Sequence, residues 1–169
     1  MTERRTPQQI ISDLLRSALT DPNTVRRALG TDWIFPDIPR IYDLSDDKNN
    51  FPRLSITSGG VSSRGDIGMD STDTEDTVSL SVEAWAYKDS AWSVTVGDKD
   101  AKTLSGNNLC EAILQQVHIY LRENWRTATV PYLLFDYVRS GTSPYEDEME
   151  GTINRHGMTI TFTGVNIGD

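Results

Sequence analysis

The chain has 169 residues, the size of one ordinary domain, and 37% of them are hydrophobic, enough for one core. Sixteen basic against 25 acidic residues leave a formal charge of −9, which works against a general grip on a phosphate backbone, because that needs Lys and Arg. No run of about 18 apolar residues is present, so no membrane span is expected, and the opening Met1-Thr2-Glu3-Arg4-Arg5 lacks the apolar core of a secretory signal.

In chain order, Thr6-Pro7-Gln8-Gln9 reads as a helix start. Thr6 can cap, Pro7 suits the first helical position and Gln9 completes a capping box. Ile10, Ile11, Leu14, Leu15, Ala18 and Leu19 follow at helical spacing, and Asp21-Pro22-Asn23 stops the run. Residues 31–52 read as irregular, broken by Pro36, Pro39 and Pro52, with short extended pieces at 33–35 and 40–42. Arg53 to Thr57 alternates as a strand. From Ser58 to Asp76 the composition shifts to Gly, Ser, Thr and Asp, with Ile67 and Met69 as the main large apolar residues; this predicts a long flexible loop or hairpin arm between two strands.

Thr77 to Tyr87 is the clearest strand. Val78, Leu80, Val82, Ala84 and Ala86 point one way, and Thr77, Ser79, Ser81, Glu83, Trp85 and Tyr87 the other. After a break at Lys88-Asp89-Ser90, Trp92, Val94 and Val96 keep period two as a hairpin partner or an extension. Ser105 or Asn107 then caps the major helix, whose stripe is Leu109, Ile113, Val117, Tyr120 and Leu121, and which ends near Trp125. Two strands close the chain, Tyr132 to Arg139 and Thr152 to Val165. A turn is expected at Ser140 to Pro144, an acidic stretch at Tyr145 to Glu150, and a bulge or break at His156-Gly157. The expected fold is a single α+β domain over residues 1–169: a mostly antiparallel sheet with a long inter-strand loop, covered on one face by the N-terminal helix and the longer central one.

Motifs for chemistry are hard to find. Gly60 and Gly65 have the GxxxxG spacing of a phosphate loop, but Asp66 and Ile67 follow where Lys and Ser or Thr are required, and a carboxylate there repels phosphate. His118 and His156 form no HExxH pair, and no GxSxG elbow occurs. Glu146, Asp147, Glu148 and Glu150 are neighbours in one acidic run, whereas catalytic carboxylates need separate, differently tuned surroundings. Asp70, Asp73, Glu75 and Asp76 lack the spacing of an EF-hand loop. The one cysteine, Cys110, falls among apolar neighbours in the major helix and reads as a packing residue. No enzyme activity, metal or cofactor is expected. Trp85 and Tyr87, aromatic on a polar strand face, either lie under another element or form an interface.

The charge also has a texture. Lysine occurs only at Lys48, Lys88, Lys99 and Lys102, and Asp outnumbers Glu about two to one. Such a surface resembles those of halophile proteins, where dense carboxylates hold hydration and salt screens their repulsion.

The stretch SVEAWAYKD followed by LSGNNLCEAILQQVHIYLRENW, with the capped first helix, the strand-loop-strand Arg53 to Tyr87 and the closing strand pair, resembles the tail-terminator (tail-completion) proteins of long-tailed bacteriophages and their archaeal relatives. The resemblance lies in the order of elements over about residues 6–166. It implies a non-catalytic virion protein, made in the host cytoplasm and located at the head-tail junction. As in that family, copies would form a hexameric ring that caps the tail tube and meets the head-side connector or stopper protein, with DNA passing the bore without specific binding. Under this expectation Asp66, Asp70, Asp73, Glu75 and Asp76, or Glu146 to Glu150, line the bore by like-charge repulsion of the duplex. Ile67, Met69, Trp85, Tyr87, Tyr145 and Glu146 are the candidate contacts with protein neighbours. The alternatives are another neck protein, such as a head-closure or connector ring, and a small ligand-binding domain or enzyme of a halophile.

Overall fold

The computed structural model describes residues 7–18, 33–36, 51–66, 74–89, 91–94, 100, 102–124, 132–145 and 153–166. Their elements are α1 (Pro7–Ala18), β1 (Ile34–Phe35), β2 (Arg53–Asp66), β3 (Thr74–Tyr87), β4 (Trp92–Val94), β5 (Lys102–Leu104), α2 (Gly106–Asn124), β6 (Tyr132–Tyr145) and β7 (Ile153–Asn166). Five strands form one sheet in the order β1-β2-β3-β7-β6, and β4 and β5 pair as a separate ribbon. Every neighbouring pair in the large sheet is antiparallel except β1 with β2. With its two described helices the chain is α+β, as the order of elements implies.

The strand alternation sets the core. Val78, Leu80, Val82, Ala84 and Ala86 of β3 lie beside Met158, Ile160 and Phe162 of β7, at registers such as Val82↔Met158 and Leu80↔Ile160. These side chains share one buried cluster with Leu54 and Ile56 of β2, Ile11 and Leu15 of α1, and Leu109, Ile113, Leu114, Val117 and Leu121 of α2. The helical residues recur every three or four positions, so each helix presents one apolar stripe. Each fully buried Leu or Ile contributes roughly 1.5–3 kcal/mol by leaving water. Polar bonds fix α1 against the sheet: Arg16 Nη2 donates to Ile34 O at 2.7 Å, and Gln8 Nε2 donates to Pro36 O at 2.9 Å and Ile56 O at 2.6 Å.

Two local expectations change and one is narrowed. Residues 58–66 and 74–76, read as a long loop or a hairpin arm, take the hairpin form: they continue β2 and β3 as paired strands, with Gly60↔Ser79 and Arg64↔Glu75 in register. Hydrogen bonding to β3 holds this segment extended although its composition has no apolar alternation. The turn expected at Ser140 to Pro144 is absent: β6 runs through it, with a register irregularity between Ser140 and Ser143 that absorbs the Gly141-Thr142 step. Pro144 is tolerated because β6 is an edge strand of the described sheet, where a missing N–H need not break a ladder. At His156-Gly157 the pairing of β7 with β3 is unbroken, Ala84↔His156 and Glu83↔Gly157; the irregularity lies on the β6 side instead. The pieces expected at 40–42 and at Val96 lie outside the described residues.

Candidate assembly surface

Among the described residues, the outer side of β2 is unpaired along most of its length. β1 pairs with it only at Leu54 and Ser55, with Leu54 N–H donating to Trp33 O at 2.9 Å. The next outward carbonyl, that of Ile56, is taken by Gln8 Nε2. Past that point Ser58, Gly59, Gly60, Ser62, Ser63, Arg64 and Gly65 are exposed, and no strand flanks them among the described residues. The long glycine-rich edge is possible because of a bulge between Ser58 and Gly60. Gly60 adopts φ 113°, a conformation that side chains disfavour, and its N–H donates to Ser58 Oγ at 3.3 Å. A Cβ at Gly59 would lie 3.1 Å from Ser79 O, so that glycine lets β2 approach β3 closely.

The bulge also resets which backbone groups face outward. Leu54 bonds to the β1 side, so Arg53, Ser55 and Thr57 bond toward β3, opposite Trp85, Glu83 and Ser81. β3 carries no irregularity against β7, so its alternation continues to Ser79, Thr77 and Glu75, which face Gly60, Ser62 and Arg64. Val61 and Ser63 therefore turn their N–H and C=O groups to the open side. At the far end of the sheet β6, also 14 residues long, has no further strand beyond it among the described residues.

The structure separates the residues singled out from sequence. Trp85 and Tyr87 are buried within the chain, at 6% and 7% exposure, in a second cluster with Phe51 and Ile153. The Phe51 and Tyr87 rings meet edge to face at 5.0 Å, and the Arg155 guanidinium lies 4.8 Å from the Trp85 ring centre. Arg155 also faces the buried Glu83 carboxylate at 3.8 Å. The two aromatics therefore lie under other parts of the chain and do not offer a free interface, because the outer face of β3 is covered at this end.

Asp76 is likewise no bore-lining acid: it is 3% exposed and accepts a hydrogen bond from Thr74 Oγ1 at 3.0 Å. Glu75, its half-buried neighbour, belongs to the opposite sheet face, so the two cannot line one wall. Asp66 ends β2 opposite Thr74, and Tyr145 ends β6 opposite Arg155. Ile67, Met69, Asp70, Asp73 and Glu146 lie outside the described residues. The β2 edge itself was missed as a strand, and the Gly59-Gly60 pair was its one available signal, as a bulge mark.

A polar node sits where α2 begins. His156 Nε2 is 3.1 Å from Asn107 Oδ1, and Cys110 Sγ donates to Asn154 O at 3.3 Å. Burial pushes the Cys110 thiol up to about 12, against weaker backbone hydrogen bonds that lower it. Burial likewise holds the His156 imidazole below its ordinary value, partly opposed by the Glu111 carboxylate. Burial thus favours the neutral form of both groups, and both fasten α2 to β7. Shallow grooves flank α2: one of about 270 Å3 is lined by Val94, Asp100, Lys102, Leu104, Asn108, Glu111, Ala112 and Gln115, and another lies beside His118 and Arg122. Cys110 lines neither, and among the described residues no three His, Cys, Asp or Glu side chains gather as a metal site. In comparison with known proteins, the chain matches no family model and no curated protein.

Proposed function

We propose that this protein is a non-catalytic structural subunit: a tail terminator that assembles as a ring, caps a tail tube and joins it to the head-side connector of a tailed virus. The observation that carries the reading is the exposed edge of β2 from Ser58 to Gly65. An open edge is a ready template for another chain, and natural monomers usually cover or blunt it. A subunit with one docking edge and a second, different edge can make heterologous contacts, and such contacts close into rings when the rotation allows. The order of elements, and an acidic balance that discourages adhesion to passing DNA, accord with the terminator assignment in particular. Light scattering in molar salt, followed by negative-stain imaging with tail tubes added, tests it. A hexamer-sized particle that binds tube ends supports the assignment. A monomer that ignores the tubes, or turnover of a small compound by the purified protein, overturns it.

A further inference from the structure

We infer that neighbouring copies join by strand addition, with β6 of one copy pairing antiparallel to the open stretch of β2 in the next; this rests on the ring reading above and names its contact. Direction favours it. In the order β1-β2-β3-β7-β6, three successive antiparallel pairings separate β2 from β6, so the two run in opposite directions. A copy displaced sideways along the sheet, or rotated about an axis along the strands, therefore presents β6 antiparallel to β2. The new ladder continues the pattern already present.

Length and charge favour it too. β6, 14 residues long, is long enough to span the open Ser58–Gly65 stretch of β2. The chain carries −9 overall, yet the sequence of the β2 edge from Ser58 to Gly65 has Arg64 as its one ionisable residue, and β6 balances Asp136 with Arg139. Joining these edges sets no carboxylate run against another, whereas most of an acidic surface repels its own copy. Gln8 sets where the added strand starts: by occupying the Ile56 carbonyl it ends the β1 side of the edge, and the next outward-facing groups are those of Ser58, at the bulge, and of Val61 and Ser63 beyond it.

The test uses the full chain with Ser63→Cys carrying a photo-crosslinker. Cys110 is buried and stays unlabelled. Labelled copies are mixed with isotopically heavy ones, so that mass spectrometry reports which copy each crosslinked peptide came from. Crosslinks from position 63 into residues 132–145 of a different copy are the expected result. A second variant, Ser63→Pro, removes one outward N–H and is expected to weaken association about tenfold per contact, with unchanged circular dichroism. Ser62→Ala, whose backbone faces β3, leaves assembly intact. A ring that forms while the crosslinks fall elsewhere overturns the strand-addition contact alone. A protein that stays monomeric with tail tubes present overturns the ring reading and this contact together.

Discussion

Replacing Gly106 with alanine probes how firmly α2 is seated on β7. Gly106 opens α2 at φ 52°, in the left-handed region, where a residue with a Cβ loses about 1–2 kcal/mol. An added Cβ would also lie 2.8 Å from Asn154 Oδ1 and 3.4 Å from Lys88 Cα. The Asn154 amide must swing away, at a cost of about 0.5–1.5 kcal/mol for an off-rotamer side chain. Reduced freedom of the unfolded chain returns about 0.4–1 kcal/mol. The net expectation is a loss of about 2 kcal/mol, which in a chain of this size lowers Tm by about 4–8 °C. Thermal and urea unfolding followed by circular dichroism measure it. Asn154→Ala in the Gly106→Ala background should restore about 1 kcal/mol, because the clash disappears while the backbone bond from Cys110 to Asn154 O survives. A neutral Gly106→Ala, or a double variant no better than the single one, refutes the reasoning.

Phe162, 1% exposed in the centre of the sheet, should cost about 3–5 kcal/mol when cut to alanine, read from the urea midpoint at constant m-value. His156 is held below its ordinary value by burial, so below the unfolded value near 6.5 the unfolded chain binds a proton that the fold does not. Stability should therefore be full above that pH and decline as pH falls through it toward the folded value, and His156→Gln should flatten this slope; an equal slope in both proteins contradicts it. Cys110, with its thiol raised to about 12, should react with a thiol reagent at pH 8 only as fast as the protein opens, and denaturant should accelerate the reaction greatly. If the carboxylate-rich surface is adapted to salt, Tm should rise from millimolar to molar salt, and an unchanged Tm refutes that adaptation.

Local pattern was enough where burial imposes a period. The stripe of α2 and the even positions of β3 were legible because the side chains that repeat every three or four, or every two, residues are those that must leave water. Helix punctuation was equally local: Pro7 opens α1 because the first turn needs no N–H from it. Ser58 to Asp66 and Ser140 to Pro144 were not legible as strands, since their extended state comes from hydrogen bonds across the pairs with β3 and β7 and not from any apolar period of their own. The same holds for Trp85 and Asp76, adjacent in character to exposed strand residues yet buried by neighbours that sequence does not name. Period and capping belong to the chain itself; whether a polar strand face is covered, and whether an edge is left open, depends on which distant segments arrive beside it.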